Sequence, residues 1–394
     1  MIKLGIRNNL KYPLMLIIIN VIKDYELKYI KEHCKYEEGS SSILLMFLSE
    51  LIAGYIFYKK ERSILIEKEI KTSSSLVGIK LIQSSEELES KPLDNTLKII
   101  FLMFAATFFD FYDTFLFSFY LSNLYDDFSS SLLDRLECIL AIVTSILCYY
   151  LLKFPLYKHQ KYSLVVISIG LILIIISEYL VLFFFIDEFK KNKMLYDFIT
   201  GLVFVIIDNF FFSMIFIVEK YLFEYDYINP FQMLMFEGAF GSVMGFIYLF
   251  INKPFKEFKD VYDNKDKSKF IILILGLIIY HILIGAGNCY RVKINKLFSP
   301  THLAFLYYIS GPLTIITSFL NEGDFTINGE RNYYYFSFNL IISLIMLFCG
   351  CVYNELFVLF CCNLEQDTYH QISLRAQIEH MSFDLNECNL DDSF

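Results

Sequence analysis

Runs of apolar residues long enough to cross a bilayer recur from near the start of this chain to the edge of its C-terminal tail. A helix needs roughly 20 such residues to span the hydrocarbon core, and several runs reach that length. Backbone polar groups in lipid must be bonded within the protein, so runs of this kind fold as helices. The expected fold class is therefore an all-α membrane protein. Composition agrees: 56% of the 394 residues are hydrophobic and 18% aromatic, which excludes an ordinary soluble chain of this length. Trp is absent, so Tyr must serve as the interfacial aromatic.

Apolar runs bounded by charges or turn residues predict about ten transmembrane helices. They lie near Leu10 to Ile30, Ser42 to Tyr58, Leu97 to Leu121, Leu136 to Leu152 and Tyr162 to Ile186, then Tyr196 to Val218, Phe231 to Ile251, Phe270 to Tyr290, Pro300 to Leu320 and Tyr333 to Cys362. The first is the weakest, because Lys23, Asp24 and Glu26 cut its second half. An even total divides into halves of five, and an odd number of crossings per half inverts the second half. The expected organisation is two inverted five-helix repeats, 1–186 with a polar loop at 59–96 and 187–362, followed by an acidic cytosolic tail, 363–394, without a fixed fold.

The tail accounts for much of the net charge of −9, so this charge points to no nucleic-acid partner. Lys and Arg in short loops set orientation. Lys3, Arg7 and Lys11, then Lys59, Lys60 and Arg62, Lys153, Lys158 and Lys161, and finally Arg291, Lys293 and Lys296 fall on one side, which places both termini in the cytosol. The nine Cys form no CxxC pair and show no metal-ligand spacing, so no disulfide framework and no metal site is expected. Cys361 and Cys362 meet the tail where palmitoylation is conceivable, although two packed interfacial thiols are the plainer reading.

Charges inside the apolar runs carry the functional signal. An ionised carboxylate in mid-membrane costs at least about 2.5 kcal/mol, so it faces water, a partner or a pathway. Asp110 and Asp113, three apart in "FAATFFDFYDTFLFSFY", share one helix face. Glu50 and Asp208 sit well inside their runs, and Glu237 lies two helical turns past Pro230 beside Gly238, Gly241 and Gly245. Arg135, Glu219 and Lys220 stand at span ends, where exposure or a mutual pair lowers their cost. Of these, Arg135 and Lys220 are the candidate cations, and "YDYINP" reads as the turn into the seventh helix. His281 and Asn288 flank a glycine pair in "YHILIGAGNCYRV"; the His reads as a packing residue. No HExxH, GxSxG, P-loop or Cys/His cluster is present, which argues against an enzyme and against a cofactor. Polar groups scattered over several spans fit a translocation path, with a scaffold or receptor-like protein and a lipid-modifying enzyme as the competing readings.

The order of these motifs resembles the drug/metabolite transporter superfamily. It is most similar to solute carrier family 35, subfamily F, an EamA-like branch related to nucleotide-sugar transporters. The resemblance rests on "MFLSELIAG", "ATFFDFYDTFLFSFYL", "SSSLLDRLE", "KFPLYKHQKYSLVVISIG", "VEKYLFEYDYINPFQMLMFEGAFG", "LFSPTHLAFLYY" and "CGCVYNELFVL", in that order. Val218, Leu136, Tyr307 and Ser310 depart from it: an acidic residue, Gly, Asp and Arg are usual there. The resemblance implies alternating access around a central cavity; Glu50, Asp110, Asp113, Arg135, Asp208, Glu219, Lys220 and Glu237 are the residues expected, from their charges, to line or gate it. It further implies a small metabolite as cargo, nucleotide-sugar-like or another organic anion. An endomembrane location, Golgi, lysosome-like or vesicular, is implied ahead of the plasma membrane, with a homodimer as one assembly the reading admits.

Overall fold

The computed structural model describes residues 11–34, 40–73, 93–116, 138–185, 188–251, 267–309, 311–321, 326–327 and 330–357, with Leu136, Leu359, Leu364, Thr368 and Gln371 as single positions. Apart from a two-residue β-ladder, β1 (Thr326–Ile327) on β2 (Glu330–Arg331), the elements are helices. In chain order they are α1 (Lys11–Cys34), α2 (Ser40–Ser73), α3 (Leu93–Leu116), α4 (Cys138–Leu151), α5 (Lys158–Phe185) and α6 (Glu188–Tyr225). There follow α7 (Pro230–Ile251), α8 (Lys267–Leu297), α9 (Pro300–Tyr308), α10 (Gly311–Asn321) and α11 (Tyr333–Tyr353).

Among the described residues, seven helices are long and apolar enough to cross a membrane: parts of α2, α3, α5, α6 and α8, and all of α7 and α11. The chain is accordingly a multi-pass, all-helical membrane protein. Helix α4 is apolar but short, and α1 falls below the same standard because charges interrupt its second half. The bundle also shows where hydropathy misplaced boundaries. The expected ninth span is two helices, α9 and α10, with Ile309 in a turn after the first and the Gly311–Pro312 pair opening the second, since Pro cannot extend a preceding helical turn. The expected polar loop at 59–96 is largely preceded by helix, since α2 continues to Ser73 through good helix formers such as Glu, Lys and Ile. Helix α8 does not stop at Tyr290 but runs seven residues further, so Arg291, Lys293 and Lys296 belong to a helix rather than to a cytosolic loop. The tail beyond Gln371, Cys361 and Cys362 lie outside the described residues.

Local chemistry sets the helix starts that matter for the site. Asn229 Oδ1 accepts a hydrogen bond from the Phe231 N–H at 2.9 Å, and Pro230 follows as the first helical residue, so "INPF" is a helix start. Ser299 caps α9 in the same way, again with Pro next, and Asn332 caps α11 through the Tyr335 N–H. Helix α2 packs along α7 and α8, α1 along α8, α3 along α6 and α7, α4 along α6 and α9, and α5 along α11. The approach of α7 to α2 depends on glycine: a Cβ on Gly238 would lie 2.4 Å from the Leu51 nitrogen. Gly285 of α8 meets the same helix at Ser49 in a similar way, 2.6 Å from its carbonyl oxygen. These two contacts clamp α2, α7 and α8 together on either side of Glu50.

Candidate functional site

Five helices bring charged side chains to one place. Helix α2 supplies Glu50, α3 Asp110, α6 Glu219, α7 Glu237 and α8 Arg291. Glu50, Glu219 and Glu237 have no solvent exposure, Arg291 retains 1% and Asp110 6%. Arg291 is the hub. Its Nη1 lies 2.9 Å from Glu219 Oε1 as an ion pair, and its Nη2 donates to Glu237 Oε2 at 3.3 Å. The guanidinium also sits over the Phe216 ring, 6.0 Å from the centroid. Asp110 and Glu50 lie within electrostatic reach of the same guanidinium.

Two asparagines on α8 hold the carboxylates in place. Asn295 Nδ2 donates to Glu219 Oε2 and to the Phe216 carbonyl, both at 2.8 Å. Asn288 Nδ2 donates to Glu50 Oε1. Asn288, Arg291 and Asn295 are spaced three and four apart, so they form one polar stripe on an otherwise apolar helix. The same stripe was present in the sequence as a periodic pattern, but a positive residue after an apolar run reads first as a loop.

Lys220 has a different task from the one its position suggested. It is 1% exposed, and it pairs with Glu224 at 2.9 Å rather than with Glu219. Its Nζ also donates to the carbonyls of Asn295, Lys296 and Phe298, at 3.1, 3.2 and 2.7 Å. These are carbonyls at the end of α8, which have no partner within the helix, and a cation there complements the helix dipole. Lys220 is thus a clamp between α6 and the α8–α9 junction. Toward the same end of the bundle, Glu61 accepts from Lys293 and, at 2.8 Å, from Asn229 Nδ2, which ties α2 to α8 and to the α6–α7 connection.

Asp113 and Asp208, both half-buried, form a second carboxyl pair farther along the bundle. They lie within hydrogen-bonding reach of each other across the α3–α6 contact. Eleven residues separate Asp208 from Glu219 on α6, so the pair lies about 16 Å from the Arg291 centre along that helix. The polar residues therefore form a file through the bundle, from Glu61 through Arg291 to Asp113 and Asp208. His281 is buried on α8, 7% exposed, with neither ring nitrogen hydrogen-bonded, and takes no part in the file.

Of the eight residues singled out from the sequence, Glu50, Asp110, Glu219 and Glu237 meet at Arg291, Asp113 and Asp208 meet each other, and Lys220 clamps the end of α8. Arg135 lies outside the described residues. Among the described residues, no group of three His, Cys, Asp or Glu side chains is arranged to hold a metal ion. The chain matches no protein-family model and no curated protein.

Proposed function

We propose that this chain is a membrane transporter that moves a small metabolite by alternating access. One observation carries the reading: four buried carboxyl groups, two half-buried ones and one buried arginine, drawn from five separate helices, lie inside an apolar bundle. Such groups are expensive in lipid and are ordinarily found where a pathway needs them. A packing role alone would be served more cheaply by apolar side chains, since a buried ion pair seldom stabilises more than its hydrophobic replacement.

The helix pairing supports two inverted repeats as the mechanical basis. If α9 and α10 count as one broken ninth element and α11 as the tenth, each helix corresponds to the one five places on. The α1–α8 contact then has its counterpart in α3–α6, and α2–α8 in α3–α7, while α2–α7, α4–α9 and α5–α11 map onto themselves. The correspondence extends to the site. Glu50 with Gly54 answers Glu237 with Gly241, and "DFYD" at Asp110 to Asp113 answers "NCYR" at Asn288 to Arg291. A broken helix within each repeat set is a common device of transporters, and the α9–α10 break fits it. The resemblance to solute carrier family 35, subfamily F, agrees with this reading, and so do cytosolic termini, since the Lys-rich helix ends share one side. An endomembrane location rests on that resemblance alone.

The test is export from proteoliposomes. Vesicles containing the purified chain are loaded with a small-molecule extract of cells, and the metabolites that leave are identified by mass spectrometry. Selective loss of one or a few compounds, abolished by Arg291→Gln in a variant that elutes as a monodisperse species, supports transport. No loss beyond that from empty vesicles favours a scaffold or receptor.

A further inference from the structure

The proposed site is built for positive charge. Among the described residues its one guanidinium, that of Arg291, is already matched by Glu219 and Glu237. The hydrogen bond to Glu50 among the described residues comes from the neutral Asn288, at Oε1, while its Oε2 has no hydrogen-bond partner. Asp110, 6% exposed, lies within electrostatic reach of Arg291, and its Oδ2 has no hydrogen-bond partner. Glu237 Oε1 is likewise free of any hydrogen bond, as are Oδ1 of Asp113 and Oδ1 of Asp208. Against these five acceptors stand two donors of the hub without a hydrogen-bond acceptor, Arg291 Nε and Nη1, and Nη1 is already ion-paired with Glu219 Oε1. Acceptors left over in such excess call for a donor-rich, positively charged guest.

Among the described residues, this centre is faced by Glu50 from α2, Asp110 and Asp113 from α3, Glu219 from α6 and Glu237 from α7, with Asp208 of α6 farther off beside Asp113. Arg291 and Cys289 face it from α8, and the Tyr307 hydroxyl from α9. Lys220 is occupied by the α8 carbonyls and Glu224. Aromatic faces adjoin the carboxyls of α3 and α6: Phe211, one turn from Asp208 on α6, packs against Phe109, next to Asp110, at 5.8 Å and Tyr112, next to Asp113, at 4.9 Å between ring centres. Carboxylates beside aromatic faces suit an organic ammonium or guanidinium better than a bare inorganic ion.

We propose that the transported species is a small organic cation, an amine or guanidinium, whose N–H groups are taken by Glu50, Asp110 and Glu237. This rests on the transporter reading and replaces the anionic cargo that the family resemblance implied. While the site is empty of cargo, protons supply the missing positive charge. Cargo entry therefore releases them: each carboxylic O–H that gives up its proton leaves a carboxylate to accept a cargo N–H.

The test uses the full chain in lipid nanodiscs, with thermal stability read against added putrescine, methylguanidine, tetramethylammonium, sodium chloride and uridine diphosphate. A guest that binds the folded state raises the unfolding temperature in proportion to its occupancy. Putrescine and methylguanidine are expected to stabilise, with protons released into a weakly buffered solution. Asp110→Asn should weaken them roughly tenfold, the loss of one charge-assisted hydrogen bond. Glu178→Gln, remote from the site, should not. Stabilisation by uridine diphosphate with none by the amines overturns the cationic assignment. An equal shift with sodium chloride makes the site one for inorganic cations and overturns it too, as does the absence of any shift with the amines. Amine binding without amine exchange across proteoliposomes keeps the cation site and refutes the transporter reading instead.

Discussion

Arg291→Gln tests whether the buried centre is held by charge pairing. The substitution removes the partner of Glu219 at 2.9 Å and of Glu237 at 3.3 Å, neither of which has any solvent exposure. Breaking a buried pair by deleting one member costs about 3 to 5 kcal/mol, because the remaining charge is stranded without water. An exposed pair would cost at most about 1 kcal/mol, so the magnitude itself reports burial. The assay is denaturant unfolding in detergent micelles of the wild type, of Arg291→Gln, and of the triple variant that adds Glu219→Gln and Glu237→Gln. The single variant should lose several kcal/mol. The triple variant should recover more than half of that, because amides can be buried without stranding a charge. A single variant as stable as wild type would show that Arg291 is not the hub, and a triple variant worse than the sum of its parts would refute pairing as the source of stability.

Lys220→Met should destabilise by about 1.5 to 3 kcal/mol, the scale of hydrogen bonds made by a charged donor, and Lys220→Arg should recover only part of this, since its planar fork does not match three carbonyls; both are read from the same unfolding curves. Gly238→Ala should separate α2 from α7 and lower both stability and transport, because the new Cβ would meet backbone at 2.4 Å. Gly201→Ala is the control: nothing lies within 4 Å of its Cβ, so the change should be neutral or gain up to about 1 kcal/mol of helix propensity. The half-exposed pair of Glu61 and Lys293 should behave differently again. Glu61→Lys should change stability by about 1 kcal/mol or less, and adding Lys293→Glu should restore it.

Much of the bundle was legible because hydropathy depends on single helices. Length and apolar content alone located α3, α5 and α7 closely and the start of α11, whose end at Tyr353 falls nine residues short of the expected Cys362, and "INP" marked the start of α7 by a capping rule that needs only three residues. Glycine at 238 and 285 likewise announced close helix approach before any neighbour was known. Among site residues, the carboxylates stood out because each is costly by itself in an apolar run. What a lone sequence could not say is whom each carboxylate meets. Asp110 and Asp113 share a face by periodicity, yet they serve different partners, Arg291 on α8 and Asp208 on α6.

Arg291 shows why the cations were harder to read than the anions. Positive residues after an apolar run are the usual mark of a helix leaving the membrane, and Arg291, Lys293 and Lys296 satisfy that pattern. Their fates then diverge within two helical turns: Arg291 is enclosed, Lys293 pairs at the rim with Glu61, and Lys296 stays exposed. The difference is made by Glu219 and Glu237, which are distant in sequence, and by Asn288 and Asn295, which continue the polar stripe on either side. A basic residue flanked at helical spacing by asparagines is therefore a better sign of an interior cation than its distance from the end of the apolar run. The rule has a direct consequence for Lys220, the other enclosed cation, which lacks such a stripe and meets carbonyls at the end of a neighbouring helix instead. It holds the bundle together at its rim, while the cation with the polar stripe occupies the centre.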